Sequence, residues 1–501
     1  MRNDFLRSRC SQLIAFTHRL ASRPVLYAQT RHVSELLPYL IDELRAGPPA
    51  KLVTFSKRPF EGSFALQAQD LLRRRLNFFG NQGLEAAYRR LGFRVGHSAL
   101  LTFMRNYVTA SSFADNFLAA TPSKSDLEGL SLDGCLIGDL IYDTYLRQGH
   151  ATADFSDPGL RALIIEAFIT VKYWTRRINK TCRAVIGDTV YLNAIPTRVA
   201  VLKGCPTFYV GGANIFRMRS DFPPPEQSYR FYLSRTHEMG HQEKAISATQ
   251  GKQFVEQRLA GAISGRLSNY MSLSPYHSEP TSPTPQRVQK AKSILVACHD
   301  FFDSPHVWGT SLFPDFYEWL VFLARFFKEK PRPIVVKPHP NSREADKKIL
   351  EEIFVDTPKV SIESANSTMA SVLGRFDVAA ALTVCGTIAT ELPAIGIPVI
   401  NASQNNPHFD FGFSVSPVTI EEYRSTLERL DDLKPTKDLT DLYLYHYLHN
   451  VEGPSLDLKH LLAGDLTNSE ANLSALTTED SPAKSIRGRL QSFLETNRYQ
   501  A

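Results

Sequence analysis

Four stretches of the 501-residue chain put polar side chains where chemistry is feasible. Lys337-Pro338-His339-Pro340 follows the apolar run Ile334-Val335-Val336. Its prolines fix their own φ angles and so hold the histidine in one direction. An imidazole beside an ammonium suits a phosphate, although a rigid strand exit would look the same. Thr383-Val384-Cys385-Gly386-Thr387 comes directly before an apolar helical segment. Gly386 allows a tight turn, and Thr387 is expected to be the helix N-cap. Backbone N–H groups at such a terminus favour an anion. Glu391, one turn further, is placed to reach a ribose or the cap. In Gly138–Arg147 the residues Asp139, Asp143 and Arg147 recur at i, i+4 and i+8 and share one helical face. Such spacing serves an exposed ion-paired face or presents a general base to an attacking hydroxyl. Leu140, Ile141, Tyr142, Tyr145 and Leu146 leave little solvated surface nearby, and the two tyrosines favour Asp143. Finally, Asp303, Ser304 and His306 lie on a loop among aromatics after an apolar run, as a binding loop or a structural turn.

The elements that must position these groups are legible in the apolar periodicity. The first part of the chain predicts helices over 70–91, 160–178 and 197–203, and strands over 183–187 and 206–210. Residues 226–270 read as charged helix. Residues 271–287 hold four prolines and are expected to form an interdomain loop. From 291 onward, strands at 293–298, 333–337, 360–362, 378–384 and 398–401 alternate with helices at 316–327, 345–354, 369–373 and 388–395. That rhythm predicts a doubly wound sheet. In such sheets ligands bind at the carboxyl ends of the strands, where Lys337, His339, Gly386 and Asp303 all fall. A single core stops growing near ~250–300 residues, so two principal domains are expected. The divisions are 1–225, 226–290, 291–430 and a helical and polar tail over 431–501.

Composition narrows the classes. A 43% hydrophobic and 22% charged chain can bury ordinary globular cores. The net charge of +6 suits phosphorylated substrates or an anionic surface, but no dense basic block with interleaved aromatics points to nucleic acid. The six cysteines are scattered, without Cys-x-x-Cys pairs, which fits a reducing cytoplasm rather than a disulfide or zinc framework. No run reaches the ~18 apolar residues of a membrane span. His237-Glu238-Met239-Gly240-His241 has the spacing of a zinc-protease helix. Gly240 weakens that helix and no third ligand is evident, so no metal site is expected.

In combination, VKPHP at 336–340 and CGTIATELPAIGIPVI at 385–400 resemble the C-terminal domain of bacterial capsule and surface-polysaccharide glycosyltransferases. That group includes polysialyltransferases, capsular Kdo transferases and teichoic-acid glycerophosphotransferases. The resemblance covers residues 293–406. The segments 300–320, 133–147 and 191–198 resemble surface-carbohydrate proteins as well. It implies an α/β fold of two Rossmann-like domains facing a cleft (GT-B-like). It also implies that His339 and Thr387 hold the donor phosphates, that Gly386 permits close approach, and that Glu391 meets the donor ribose. A tyrosine and an arginine are expected at the cleft, with Arg198 meeting phosphate or an acidic acceptor. Many relatives carry two or three serines where this chain has Cys385-Gly386-Thr387.

The expected activity is transfer of a sugar from a nucleotide-activated donor to a growing polysaccharide or glycolipid acceptor. Asp143 or Asp139 would be the base, and Arg147, Arg198, Asp303, Ser304 and His306 the other cleft groups. No metal or other cofactor is expected. The setting would be cytoplasmic, with peripheral contact to the inner membrane or an assembly complex. The alternatives are a glycerophosphotransferase and a non-catalytic GT-B-like protein that binds glycan or nucleotide.

Overall fold

The computed structural model describes residues 25–29, 51–55, 94–95, 100–179, 182–211, 214–218, 232–263, 274–276, 292–309, 311–403 and 405–452. The helix expected over 70–91, most of the 271–287 loop and the tail after 452 lie outside these residues.

The first sheet is built from β1 (Val25–Gln29), β2 (Lys51–Phe55), β3 (Arg94–Val95), β6 (Cys182–Gly187), β7 (Thr207–Gly211) and β8 (Asn214–Arg217). A two-stranded hairpin, β4 (Ser131–Leu132) and β5 (Cys135–Leu136), stands apart. The strand order is β3-β2-β1-β6-β7-β8, parallel except for the β7–β8 edge pair. Between β3 and β6 the chain forms four helices, Leu100–Ala119, Lys124–Glu128, Gly138–Arg147 and Pro158–Arg177. The last begins where Asp157 accepts the Gly159 N–H and Pro158 fills the first turn, a position that needs no amide donor. Leu163, Ile164, Phe168 and Trp174 recur along it at helical spacing and join Leu140, Ile141, Val185 and Val199 in one core.

The second sheet is wholly parallel. It contains β9 (Ser293–Ala297), β10 (Ile334–Lys337), β11 (Val360–Ile362), β12 (Val378–Thr383) and β13 (Val399–Asn401), ordered β11-β10-β9-β12-β13. Its strands are near-continuous apolar runs because both faces are covered. Ile294, Val296, Val336 and Leu382 meet Trp319, Leu320 and Leu323 on one side. Leu295, Ala297, Val335 and Ala381 meet Met369, Val372 and Leu392 on the other. Both sheets therefore carry the Rossmann strand order, and side-chain bonds such as Tyr142 to Asp315 and Tyr191 to Asp303 join the two units. The helix expected over 388–395 splits at its middle. Ile388–Glu391 is one α-turn and Leu392–Ile395 is 3-10, since Pro393 brings no amide proton to an α-helical bond.

Helix Tyr232–Glu238 stops before Gly240, which adopts an extended conformation (φ −68°, ψ 163°) and caps the next helix, His241–Leu259. His237 and His241 are thus exposed on two different helices rather than along one zinc-binding face. Among the described residues no helix is long and apolar enough to cross a membrane. Cys135, Cys182, Cys205, Cys298 and Cys385 form no disulfide.

Helix His241–Leu259 packs against Thr440–His446, with Val255, Leu442, Leu444 and Tyr445 in a common cluster. The crossing is so close that a Cβ at Gly251 would stand 1.8 Å from the Tyr443 carbonyl oxygen. Backbone on both sides leaves nothing flexible to move aside. Gly251→Ala should therefore destabilise the fold by about 1–3 kcal/mol, the usual cost of overpacking. Denaturant unfolding would measure it, and an unchanged midpoint would show that the helices separate freely.

Candidate functional site

In the second sheet the connections leave β9 and β12 in opposite directions, which opens a crevice beyond their carboxyl ends. His299, His339 and Thr383–Thr387 gather there. His339 is half-buried at the exit of β10. Its Nδ1 accepts the Asn341 N–H at 3.2 Å, so the neutral ring carries its proton on Nε2. Burial lowers its pKa, while Asp300 and Asp303 oppose the shift. Lys337 turns away from any ligand. Its ammonium donates to the Pro338 and Ala365 carbonyls at 2.7 and 3.0 Å, and burial lowers its pKa to about 8. It locks the strand exit to the neighbouring loop instead of presenting its charge as expected.

The Gly386 turn is equally specific. A Cβ at Gly386 would come within 2.8 Å of Thr383 Oγ1, which already accepts the Gly386 N–H at 3.3 Å. The Cys385 N–H is taken by His299 Nε2 at 3.2 Å. Two of the amides expected to hold an anion are thus spent within the chain. Thr387 is the N-cap residue of helix Ile388–Glu391, as expected, but it does not cap with its side chain. Its backbone is helical (φ −59°, ψ −22°) and its side chain makes no capping bond. No described residue bonds its hydroxyl. Glu391 is also engaged: its buried carboxylate accepts Arg258 Nε at 2.8 Å and the Tyr276 hydroxyl at 3.0 Å. It fastens helix His241–Leu259 and residues 274–276 to the sheet, which removes it from the ribose.

Across the crevice stands Asp303, exposed, four residues past His299. Its Oδ1 accepts the Ser304 N–H at 2.9 Å and the Tyr191 hydroxyl at 3.1 Å. Tyr191 belongs to the first unit, just beyond β6, and sits at φ 57°, a backbone region that L residues seldom enter. Arg147 reaches the Phe302 carbonyl at 3.5 Å from the same side. The carboxyl edges of the two sheets meet here, so Asp303, Ser304, Arg147 and Tyr191 share one boundary.

The helix Gly138–Arg147 corrects the expectation of a catalytic acid. Asp139 is held by both terminal nitrogens of Arg198, at 2.6 and 2.7 Å, and accepts the Leu140 N–H at 2.9 Å. Burial opposes ionisation, but Arg198 outweighs it and keeps the carboxyl below its usual range. The pair is sealed from substrate: both groups are buried, each Asp139 oxygen accepts from Arg198, and Arg198 also binds the Leu136 carbonyl. Asp143, equally buried, contacts His306 Nδ1 at 2.6 Å. His306 Nε2 contacts Glu128 at 2.9 Å. Burial alone would push the histidine down, yet two carboxylates raise its pKa to about 10. His306 is therefore an imidazolium with both nitrogens engaged, a bridge between the units and not a base. Beside it, Tyr142 and Thr152 each donate to Asp315 at 2.6 Å, and Asp315 caps helix Phe316–Glu329 through the Glu318 N–H. Tyr145 donates to Asp157 at 2.8 Å. Both tyrosines are buried and do not present faces to a sugar.

Sequence reasoning missed His299, Glu128 and Asp315. None belongs to a spaced motif. Only His299 carried a signal, its place directly after an apolar strand.

No protein-family model matches the chain, and no curated protein matches it. Among solved structures, the UDP-GlcNAc 2-epimerase of Neisseria meningitidis bound to UDP-GlcNAc is 11% identical over 88% of this chain and 99% of its own, with a TM-score of 0.25. A UDP-glucosyltransferase of Polygonum tinctorium that glucosylates indoxyl is 11% identical over 91% and 98%, with a TM-score of 0.25. UGT2 of Phytolacca americana, complexed with UDP-2-fluoro-glucose and pterostilbene, is 13% identical over 94% and 99%, with a TM-score of 0.24. Superposition at this level decides nothing about chemistry, and the fold rests on the strand orders above.

The clamp makes a pH prediction. The folded pKa of His306, about 10, lies above the unfolded value of ~6.5. Its stabilisation is complete below the unfolded value and is lost as pH rises through about 10. Melting temperature should fall between pH 7 and pH 10. A His306→Gln variant should start lower, by about 3–5 kcal/mol of stability, because it leaves buried carboxylates uncompensated. It should also fall less over the same range. Parallel slopes would mean that His306 is not charged.

Proposed function

We propose that the protein transfers a sugar from a nucleotide-activated donor to a surface-polysaccharide or glycolipid acceptor. The observation that supports this is the meeting of His339, Thr387 and Asp303 on three strand ends at one switch point, with Asp303 bridged to the opposite unit through Tyr191. His339 Nε2–H and the Thr387 hydroxyl would hold the departing phosphate, with Gly386 keeping the approach open. Asp303 becomes the base, since Asp139, Asp143 and His306 are consumed in buried pairs. The acceptor hydroxyl attacks the anomeric carbon as its proton passes to Asp303. The bond from that carbon to the phosphate oxygen breaks, and the nucleotide leaves with the electron pair. Donors fixed in advance around that phosphate lower the barrier without reorganising.

Binding should be surveyed with CMP, CDP, UDP and GDP, and transfer then measured with the matching sugar nucleotide. Asp303→Asn should cost about 10²–10⁴-fold in transfer and keep nucleotide affinity, the usual signature of lost proton transfer. His339→Ala should weaken both. Undiminished turnover in the two variants would end the assignment. Consumption of a CDP-linked alcohol would favour the glycerophosphotransferase alternative. Nucleotide binding with no transfer would favour the non-catalytic one.

A further inference from the structure

The donor-phosphate reading leaves out a histidine that the geometry places beside His339. In the parallel pairing of β9 with β10, Lys337 stands opposite Ala297, and the Cys298 N–H continues the ladder to the Lys337 carbonyl at 2.9 Å. His299 and His339 each lie two residues beyond that pair. Equal register on parallel neighbours brings side chains out on the same face.

Each ring has its tautomer set by a backbone amide. The Cys385 N–H points at His299 Nε2 at 3.2 Å, so that nitrogen holds the lone pair and Nδ1 holds the proton. The Thr383 hydroxyl, also 3.2 Å away, donates to the same nitrogen in this tautomer. In His339 the Asn341 N–H occupies Nδ1 and leaves the proton on Nε2. Neither remaining N–H bonds any group among the described residues, and neither is a buried orphan. The His299 ring is further fixed by stacking on Phe316, with centroids 4.4 Å apart and planes 12° from parallel. Burial, reinforced by His339 nearby, drives its pKa to about 3, so it remains neutral. The neighbouring carboxylates have partners of their own: Asp300 accepts the Phe302 N–H at 2.9 Å, and Asp303 accepts from Tyr191 and Ser304.

We propose that His299 is a second anion-binding donor, its Nδ1–H paired with the Nε2–H of His339 on one phosphate or diphosphate. Two neutral imidazoles fixed by the backbone would replace part of the hydration of the anion. They need no cation in a spot where Lys337 is already turned to carbonyls. This proposal rests on the donor-site reading and adds the residue that completes it.

Long-range proton–nitrogen NMR on histidine-labelled full-length protein tests the tautomers directly. His299 should appear as the neutral Nδ1–H form and His339 as the Nε2–H form. Titration with inorganic pyrophosphate, and with CDP and UDP, should shift both rings. His299→Phe keeps an aromatic ring against Phe316 but has no nitrogen, and should weaken binding of these probes tenfold or more. His299→Asn, which can accept from Cys385 and still donate, should recover part of the loss. An Nε2–H tautomer at His299 would overturn the proposal even if both variants fail to fold. So would unchanged affinity in His299→Phe while His339→Ala loses binding, a result that leaves the donor site itself standing. Absence of binding by the unaltered protein to every phosphate probe would remove the donor site and this residue together.

Discussion

A single imidazolium ties the molecule together. His306, on the loop that leaves β9, is inserted between Glu128 and Asp143 of the opposite unit, with all three groups buried. A lone charge in that position would be prohibitive, and a lone carboxylate nearly so. Each ion is tolerable only because its counter-ion arrives from the other unit. Pulling the units apart would leave charges that water must reach before anything else can relax. The clamp is therefore a constraint on geometry more than a source of stability, as buried ion pairs generally are.

That constraint reaches the site. The loop from Asp303 to Asp315 and the helix after it are gripped at several points: His306 by Glu128 and Asp143, Asp315 by Tyr142 and Thr152, and Glu318 by Lys124. Asp303 stands three residues before His306, so its distance from Tyr191 follows from the clamp. The same contacts explain why the acids that attract attention in Gly138–Arg147 are poor candidates for chemistry. Asp143 is a peg on which the second unit hangs, and Asp139 is locked to Arg198 within the first unit. An acid that must take a proton from a substrate has to meet that substrate, and Asp303 is exposed where Asp139 and Asp143 are sealed.

The strand ends show a second economy. Cations near the crevice are mostly directed elsewhere, Lys337 to carbonyls and Arg258 to Glu391. Beside Asp303, the crevice holds two neutral imidazoles, each oriented by a backbone amide. Fixed dipoles of this kind recognise an anion by direction, and they do so without the desolvation that a buried ammonium would suffer.

The second sheet could be read almost strand by strand, because strands buried on both faces are written as unbroken apolar runs bounded by turn residues. The strand ends, and hence His339, Gly386 and Asp303 as crevice residues, came with it. The shared face of Asp139, Asp143 and Arg147 was equally legible, since helical spacing is a local property. What they touch was not. Arg198 lies 59 residues from Asp139 and His306 lies 163 residues from Asp143. Periodicity cannot distinguish a carboxylate that meets water, a substrate or a buried cation. The ribose contact of Glu391 and the phosphate contact of Lys337 failed for the same reason. Each was inferred from the neighbours in the chain, and each was decided by a group that only folding brings within hydrogen-bonding distance. His299 is the converse case: nothing beside it in sequence marks it, and its tautomer is set by an amide 86 residues away.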